Sequence, residues 1–169
     1  MIDWHWIVTN SAMIANLSWQ HVQMVVYSLF FGSLLSALCL LVILRWPATA
    51  QPIVALCGVL FTIPSLALFI LLIPFTGLSV TTSVIGLTLY SLLILLSNLL
   101  AGMEKLPADV LESARALGYR RIQRFFDVEF FLILPAVISG LRIASVTLVG
   151  LVTVTSLIGQ GGLGQLLLA

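Results

Sequence analysis

The chain has 169 residues, of which 61% are hydrophobic and 8% are charged, and its formal net charge is +1. A mean hydropathy of +1.21 excludes an ordinary soluble domain and indicates an integral membrane protein. The balanced charge, without a basic patch and interleaved aromatic residues, argues against a nucleic-acid partner.

Residues 1–21 mix three tryptophans with polar residues, whereas residues 22–169 are mostly apolar. Tryptophan concentrates at the headgroup level of membranes, so we interpret residues 1–21 as an extracytoplasmic, interfacial segment and residues 22–169 as the membrane domain. His21, just before the first apolar run, is predicted to be interfacial as well. No Lys or Arg occurs near the N-terminus, so a cleavable signal peptide is not expected.

Four apolar stretches are long enough to cross a membrane, since about 20 apolar residues span the hydrocarbon core. They cover residues 22–44, 53–75, 79–101 and 136–158. Pro64 interrupts the second stretch and predicts a kink, because proline removes a backbone hydrogen bond. Arg142 lies near the start of the fourth stretch and is predicted to extend toward the cytoplasmic interface. Cys39 and Cys57 lie inside apolar runs and are predicted to be free thiols.

A polar island separates the third stretch from the fourth: ten of the thirteen Asp, Glu, Lys and Arg residues lie within residues 104–129. Charges are costly to bury in hydrocarbon, so this segment is expected to meet water or a soluble partner. Pro107 at a first helical position predicts a short helix that ends at Gly118, since glycine reaches the left-handed conformation of a C-terminal cap. A second short helix is predicted from Tyr119, and the next apolar segment is predicted to begin at Pro135.

Within the first of these helices, apolar residues at helical spacing predict one apolar stripe: Val110, Leu111, Ala114 and Leu117. Five of the seven Lys and Arg residues lie in the island, and the positive-inside rule therefore predicts that it is cytoplasmic. Alternation of the four spans then places Arg45 on the same side and the N-terminus outside.

The sequence lacks the patterns of most catalytic chemistries. HExxH, GxSxG and P-loop motifs are absent, and Ser65 and Ser91 have no histidine or lysine nearby to activate them. His5 and His21 are too isolated to predict a metal site. No charged residue lies inside the first three stretches, which argues against a proton-coupled carrier. The chain is therefore expected to do no covalent chemistry, and uphill transport would draw its energy from a partner docked on the polar island.

The island contains a motif that resembles the cytoplasmic "EAA" loop (E-A-A-x3-G-x9-I-x-L-P) of binding-protein-dependent ABC-importer permeases: Glu112-Ser113-Ala114, three residues, then Gly118. Two positions differ, because Ser113 replaces an alanine and Phe131 occupies the place of the proline. Residues 62–68 (TIPSLAL) and 157–164 (LIGQGGLG) are similar to sequences of the osmoprotectant branch, whose members import glycine betaine, choline, carnitine or proline.

The resemblance implies an all-α membrane protein with a permease core of about four transmembrane helices. A coupling helix would lie in the cytoplasmic loop 102–135, between the third and fourth helices. Family cores usually carry another helix after the glycine-rich turn, so this core is expected to lack its last helix. The coupling helix would dock on an ATPase subunit through the residues of the motif and their neighbours: Leu111, Glu112, Ser113, Ala114, Arg115, Leu117 and Gly118.

The resemblance also implies partners and a location. The importer would combine a cytoplasmic ABC ATPase, a second permease subunit (identical or different), an extracytoplasmic substrate-binding protein and membrane lipid, in the inner or plasma membrane of a prokaryote. The chain would bind no cofactor, since ATP would bind to the partner subunit. Separately, residues within the spans are predicted to line a translocation path: Thr62, Pro64, Ser65, Tyr90, Asn98 and Thr147.

Other functions stay open at this point. The solute could be an amino acid, because neighbouring permease families share the coupling loop. A non-transporting membrane scaffold predicts that changes in the island leave uptake untouched, and an ATP-independent channel would need no such loop. An intramembrane enzyme would need a catalytic pair at membrane depth, and the sequence shows none.

Overall fold

The computed structural model describes residues 4–168, and every regular element in this part of the chain is helical. The α-helices, in chain order, are α1 (Trp4–Thr9), α2 (Ser11–Arg45), α3 (Ala50–Thr62), α4 (Ser65–Thr76), α5 (Val80–Glu104), α6 (Ala108–Ala116), α7 (Arg121–Arg124) and α8 (Phe130–Thr155). Short 3-10 helices cover Pro47–Thr49, Ser156–Ile158 and Leu163–Leu167, and a π-helical turn covers Phe125–Glu129. Residues 1–3 of the predicted N-terminal segment lie outside the described residues.

Three helical stretches are long and apolar enough to cross a membrane: Ser11–Arg45, Val80–Glu104 and Arg121–Ile158. A fourth candidate is the pair α3 and α4, whose axes are bent by 100° at a short break. The prediction of an all-α protein with about four spans is therefore confirmed. The helix of the first span, α2, begins at Ser11 rather than at residue 22, because its mixed N-terminal turns bury Leu17 and His21 and leave polar residues outside.

The bent pair runs along α5 from one end to the other. Ala50 packs in one cluster with Leu96 near the C-terminal end of α5, whereas Phe69 lies against Gly86 nearer its N-terminal end. Between them, the Tyr90 hydroxyl of α5 donates a hydrogen bond to the Ile63 carbonyl. The pair therefore returns the chain from the Arg45 end to the opposite end and counts as one broken span.

The break at Pro64 confirms the predicted kink, and its bend of 100° is sharper than that of a kinked but continuous helix. Ile63 is extended (φ −68°, ψ 127°), because the ring of a following proline disfavours the helical conformation. Pro64 lacks the N–H that would continue the helix, so α4 starts anew at Ser65. The Tyr90 hydroxyl satisfies the carbonyl that the break exposes, which lets an irregular segment persist inside an apolar bundle.

Replacing Tyr90 by phenylalanine is expected to destabilise the bundle by about 1–3 kcal/mol, because the Ile63 carbonyl then loses its partner. Thermal unfolding of the purified protein in detergent measures the loss as a midpoint lower by a few degrees. Tyr27→Phe is the matched control, since the Tyr27 ring is half-exposed. Equal midpoints for the two variants would contradict the role given to the Tyr90 hydroxyl.

The three long helices pack side by side, with α2 parallel to α5 and α8 antiparallel to both. At one end, Met24, Leu87 and Leu148 belong to one buried cluster, and at the Arg45 end, Leu44 and Ile133 belong to another. Helices in a membrane approach closely where small residues meet, since lipid provides no hydrophobic drive between them. Between the long helices, glycine makes three such contacts: Gly32 against Ser91, Gly102 against Ala136, and Gly140 against Asn98.

The fourth span begins earlier than predicted. Pro135 lies inside α8, and the helical stretch is continuous from Arg121 through the π-helical turn, so the predicted start at Pro135 is wrong. The Phe130 N–H bonds to the Phe125 carbonyl across this turn. Because proline constrains only the turn that precedes it, the helix passes through Pro135 while neighbouring helices support it.

His21, predicted to be interfacial, is buried within the bundle at the level of the glycine-rich turn. Its Nε2 lies 3.1 Å from the Val149 carbonyl of α8, and the Leu163 N–H lies 3.3 Å from its Nδ1. The side chain therefore ties the glycine-rich turn to α2 and α8. A polar residue before an apolar run does not reveal such a link, because the link depends on a turn far along the chain. Cys39 and Cys57 are free thiols, as predicted.

Candidate functional site

The candidate site is α6 and the turn that follows it, which connect α5 to the fourth span. Pro107 is the N-cap (φ −60°, ψ 130°), so α6 begins at Ala108, one residue after the predicted start, and Asp109 lies in the first turn. An acid there meets the positive end of the helix dipole. Within α6 the single buried residue is Ala114, so the helix is a largely exposed projection on the bundle.

Gly118 ends this helix as predicted. Its φ is +84°, which is the left-handed region that glycine adopts without a steric cost. The Tyr119 N–H bonds to the Ala114 carbonyl (3.1 Å) and the Gly118 N–H to the Arg115 carbonyl (2.9 Å). These two bonds form a Schellman motif, which satisfies the last carbonyls and fixes the direction in which the chain leaves the helix.

The predicted coupling residues fall on two sides of α6. Glu112, Ser113, Arg115 and Gly118 are exposed, and Leu117 is 78% exposed despite its apolar side chain. Ala114 is 4% exposed and Leu111 is half-buried, so both pack against their own chain. The predicted apolar stripe is therefore interrupted, because Leu117 sits at the helix end and turns outward.

A buried ion pair that sequence reasoning missed lies just beyond α6. The Arg124 Nε donates to Glu129 Oε1, and the side chains are 11% and 2% exposed. Five residues apart, the two would lie about 140° apart around an α-helix, on different faces. The π-helical turn brings them onto one face, and no spacing rule for α-helices would have pointed to this pair.

The residues predicted to line a path lie in three places. Thr62, Pro64 and Ser65 surround the break, beside the Tyr90 hydroxyl that caps it. Asn98 lies eight residues further along α5, about 12 Å away at 1.5 Å per residue, in a groove between α5 and α8. Thr147 is half-buried on α8 and shares no hydrogen bond with the others among the described residues. Their common role in translocation stays a prediction.

Comparisons with known proteins agree with this geometry. The family described as "Binding-protein-dependent transport system inner membrane component" matches residues 47–169. The osmoprotectant import permease protein OsmW of Salmonella typhimurium is 33% identical over 169 aligned positions, which cover 97% of this chain and 79% of OsmW. The carnitine transport permease protein OpuCD of Listeria monocytogenes is 30% identical over 167 positions, 99% of this chain and 74% of OpuCD.

Among solved structures, a chain of the MetNI methionine ABC transporter in an inward facing conformation matches with a TM-score of 0.81. Its sequence is 25% identical, and the match covers 90% of this chain and 77% of that chain.

These similarities confirm the resemblance drawn from the motif around Glu112. They also agree with a multi-pass protein of a bacterial inner membrane and with a transporter subunit rather than an enzyme. The chain belongs to the family of binding-protein-dependent transport system inner membrane components, the permease subunits of ABC importers.

Proposed function

We propose that this permease imports compatible solutes, the quaternary ammonium compounds glycine betaine, choline and carnitine or the imino acid proline. ATP hydrolysis on a separate cytoplasmic subunit would drive the transport. The observation that carries the proposal is α6, an exposed helix whose end is fixed by Gly118. The names of the relatives OsmW and OpuCD support the class of solute.

The shape of α6 suits a docking element. A helix with one buried residue adds little to the stability of its own bundle, so its exposed polar face is available to a partner. Leu117 presents an apolar side chain at the tip, and burial of that side chain in a pocket of a partner would stabilise the complex by about 1.5–3 kcal/mol. Glu112 and Arg115 supply charges of both signs on the exposed side.

The connection of α6 to the bundle suits force transmission. The Schellman turn at Gly118 leads within three residues into α7, and the Arg124–Glu129 pair fixes the start of the fourth span. Movement of a docked ATPase would therefore move the whole of α8 as a rigid body. Two permease subunits moved in this way would alternate between inward-facing and outward-facing states.

The remaining partners follow from the same function. A solute that arrives from outside would be delivered by an extracytoplasmic binding protein to the end of the bundle where the glycine-rich turn lies. A second permease subunit would complete the pathway. The positive-inside rule predicts that α6 and Arg45 lie in the cytoplasm, the side on which ATP is available.

The test is uptake of labelled glycine betaine by cells that co-express the chain with its ATPase and binding protein. Gly118→Asp is expected to lower uptake tenfold or more, which corresponds to about 1.4 kcal/mol of lost coupling, and to weaken co-purification of the ATPase. A side chain at φ +84° strains the turn and redirects α6, although no atom of this chain lies within 4 Å of the added Cβ.

Gly77→Asp is a stringent control for backbone strain, because Gly77 (φ +73°, ψ −179°) has a conformation that essentially only glycine adopts and open space around it, but follows α4. Uptake that is retained in both variants would remove α6 from the mechanism and favour the scaffold function. Uptake that is lost in both, at equal membrane levels, would show a general effect of backbone strain.

An amino-acid importer is the second candidate, since the fold also matches the methionine transporter at a TM-score of 0.81. Uptake of labelled methionine by the same cells distinguishes the two. Methionine uptake that depends on Gly118, without uptake of glycine betaine, would replace the first proposal.

A further inference from the structure

The glycine-rich turn (residues 159–164) follows α8 at the end of the bundle away from α6, and it packs closely against α2. A Cβ on Gly161 would overlap the side-chain oxygen of Gln20. A Cβ on Gly162 would lie 3.2 Å from the Nδ1 of His21, and the φ of Gly162 is +98°. Glycine is therefore needed at both positions for the turn to approach α2 as closely as it does.

His21 bonds this turn to two helices at once. The Leu163 N–H lies 3.3 Å from Nδ1, and because a backbone N–H only donates, Nδ1 is the acceptor. The ring proton is therefore on Nε2, which donates to the Val149 carbonyl of α8 (3.1 Å). The His21 side chain is 6% exposed, so both bonds are shielded from water. One buried ring thus joins α2, α8 and the turn.

The two helices are also joined at their opposite ends. Phe125, in the π-helical turn that precedes α8, is buried in one cluster with Leu40 and Leu44 of α2. Between the ends, Met24 of α2 and Leu148 of α8 lie in another buried cluster. Close-packed elements that touch at both ends and in the middle transmit a displacement instead of absorbing it. A movement that enters α8 from α6 would therefore reach the glycine-rich turn and carry α2 with it.

We propose that His21 is a positioning residue for transport, which keeps the glycine-rich turn bound to α2 throughout the transport cycle. The turn, α2 and α8 would then move as one unit. This inference rests on the proposed function and deepens it, because it names the link through which ATP-driven movement reaches the end where the binding protein would deliver its solute. His21 is buried and acts through the turn.

The first test measures uptake of labelled glycine betaine and hydrolysis of ATP by the importer, assembled in vesicles with its ATPase and binding protein. His21→Leu is expected to lower uptake about tenfold or more, because both hydrogen bonds to the ring are lost. The stimulation of ATP hydrolysis by the loaded binding protein is expected to disappear, whereas basal hydrolysis and the amount of bound ATPase stay unchanged.

Two variants accompany this test. His21→Gln keeps one donor and one acceptor at the same position, so it is expected to recover part of the uptake and of the stimulated hydrolysis. His5→Leu is the matched control, since His5 is an exposed histidine of α1. It is expected to leave both rates unchanged.

The second test replaces the hydrogen bonds by a covalent link. A Cβ on Gly161 would lie 3.5 Å from the Gln20 Cβ, a separation that a disulfide spans. Gln20→Cys with Gly161→Cys, in a chain whose Cys39 and Cys57 are alanine, is oxidised with copper phenanthroline or reduced with dithiothreitol. Because the turn stays on α2, the oxidised protein is expected to import as fast as the reduced one. In a His21→Leu chain, oxidation is expected to raise uptake several-fold and reduction to reverse the gain.

The single variants Gln20→Cys and Gly161→Cys, treated in the same way, control for effects of the oxidant. Three results would overturn the inference: uptake unchanged by His21→Leu, cysteines at positions 20 and 161 that form no disulfide, or an oxidised disulfide that stops uptake while His21 is present. The last result would show that the turn detaches from α2 in each cycle. It also decides the question where His21→Leu fails to assemble, because that protein keeps the native histidine.

A wild type that imports neither glycine betaine nor methionine would refute the proposed function, and this inference with it. Because that result appears before any variant is compared, the two failures are distinguishable.

Discussion

Replacing Glu129 by glutamine is expected to lower the midpoint of thermal unfolding by about 10 °C. The carboxylate of Glu129 is 2% exposed and accepts from the Arg124 Nε, whose side chain is 11% exposed. Removal of one partner from a buried pair leaves the other charge uncompensated, which costs about 3–5 kcal/mol. For a chain of this size each kcal/mol shifts the midpoint by about 2–4 °C.

The two native cysteines report the transition directly. Cys57 is buried, so a thiol-reactive dye labels it when the bundle opens, and the midpoint is read as fluorescence rises. Glu104→Gln is the control, because it removes an exposed carboxylate at the same end of the bundle. The double variant Arg124→Met with Glu129→Leu is expected to recover most of the stability, since both charges leave together. An equal loss in the double variant would show that packing around the π-helical turn, rather than the charge pair, supports the site.

The helical class and the spans were predictable because they depend on local composition. In lipid, an uncharged run of about 20 residues satisfies its backbone by forming a helix, and a break such as the one at Pro64 persists only where another group, here the Tyr90 hydroxyl, supplies the missing bond. The start of the fourth span was not predictable in this way. Pro135 predicts a boundary, whereas the helix is continuous from the π-helical turn, where Arg124 pairs with Glu129, through Pro135. The same turn buries Phe125 in one cluster with Leu40 and Leu44, contacts that form only once this segment lies against α2.

The candidate site shows the same division. The helix end at Gly118 and the motif around Glu112 were predictable, because both depend on residues that are close together in the sequence. The burial of Ala114 and the outward position of Leu117 were not predictable, since they depend on how α6 packs against the bundle. The groove lined by Asn98 and Ser139 unites residues from α5 and α8 that are some forty positions apart. The close contacts of Gly140 with Asn98 and of Gly102 with Ala136 set their relative height.

Replacing Gly32 by leucine is expected to prevent assembly of the bundle. A Cβ at this position would overlap the Ser91 Oγ of α5 and lie 3.0 Å from the Ser91 Cβ. The Ser91 hydroxyl in turn donates to the Thr88 carbonyl (2.9 Å) and to the Ser28 carbonyl of α2 (3.3 Å), so it has no room to move aside. Because close backbone approach supplies the attraction between helices in lipid, a leucine here removes the contact on which α2 and α5 depend.

The measurements are the amount of monodisperse protein after membrane extraction and the same dye-detected unfolding midpoint. Gly58→Leu is the control, since Gly58 lies inside helix α3 with no atom within 4 Å of an added Cβ. A graded pair tests the geometry: Gly32→Ala is expected to lower the midpoint by several degrees, and Ser91→Ala in addition is expected to restore part of the loss by removing the overlapping oxygen. Gly32→Leu that folds as well as Gly58→Leu would show that α2 can shift along α5, and that the contact at Gly32 does not determine their spacing.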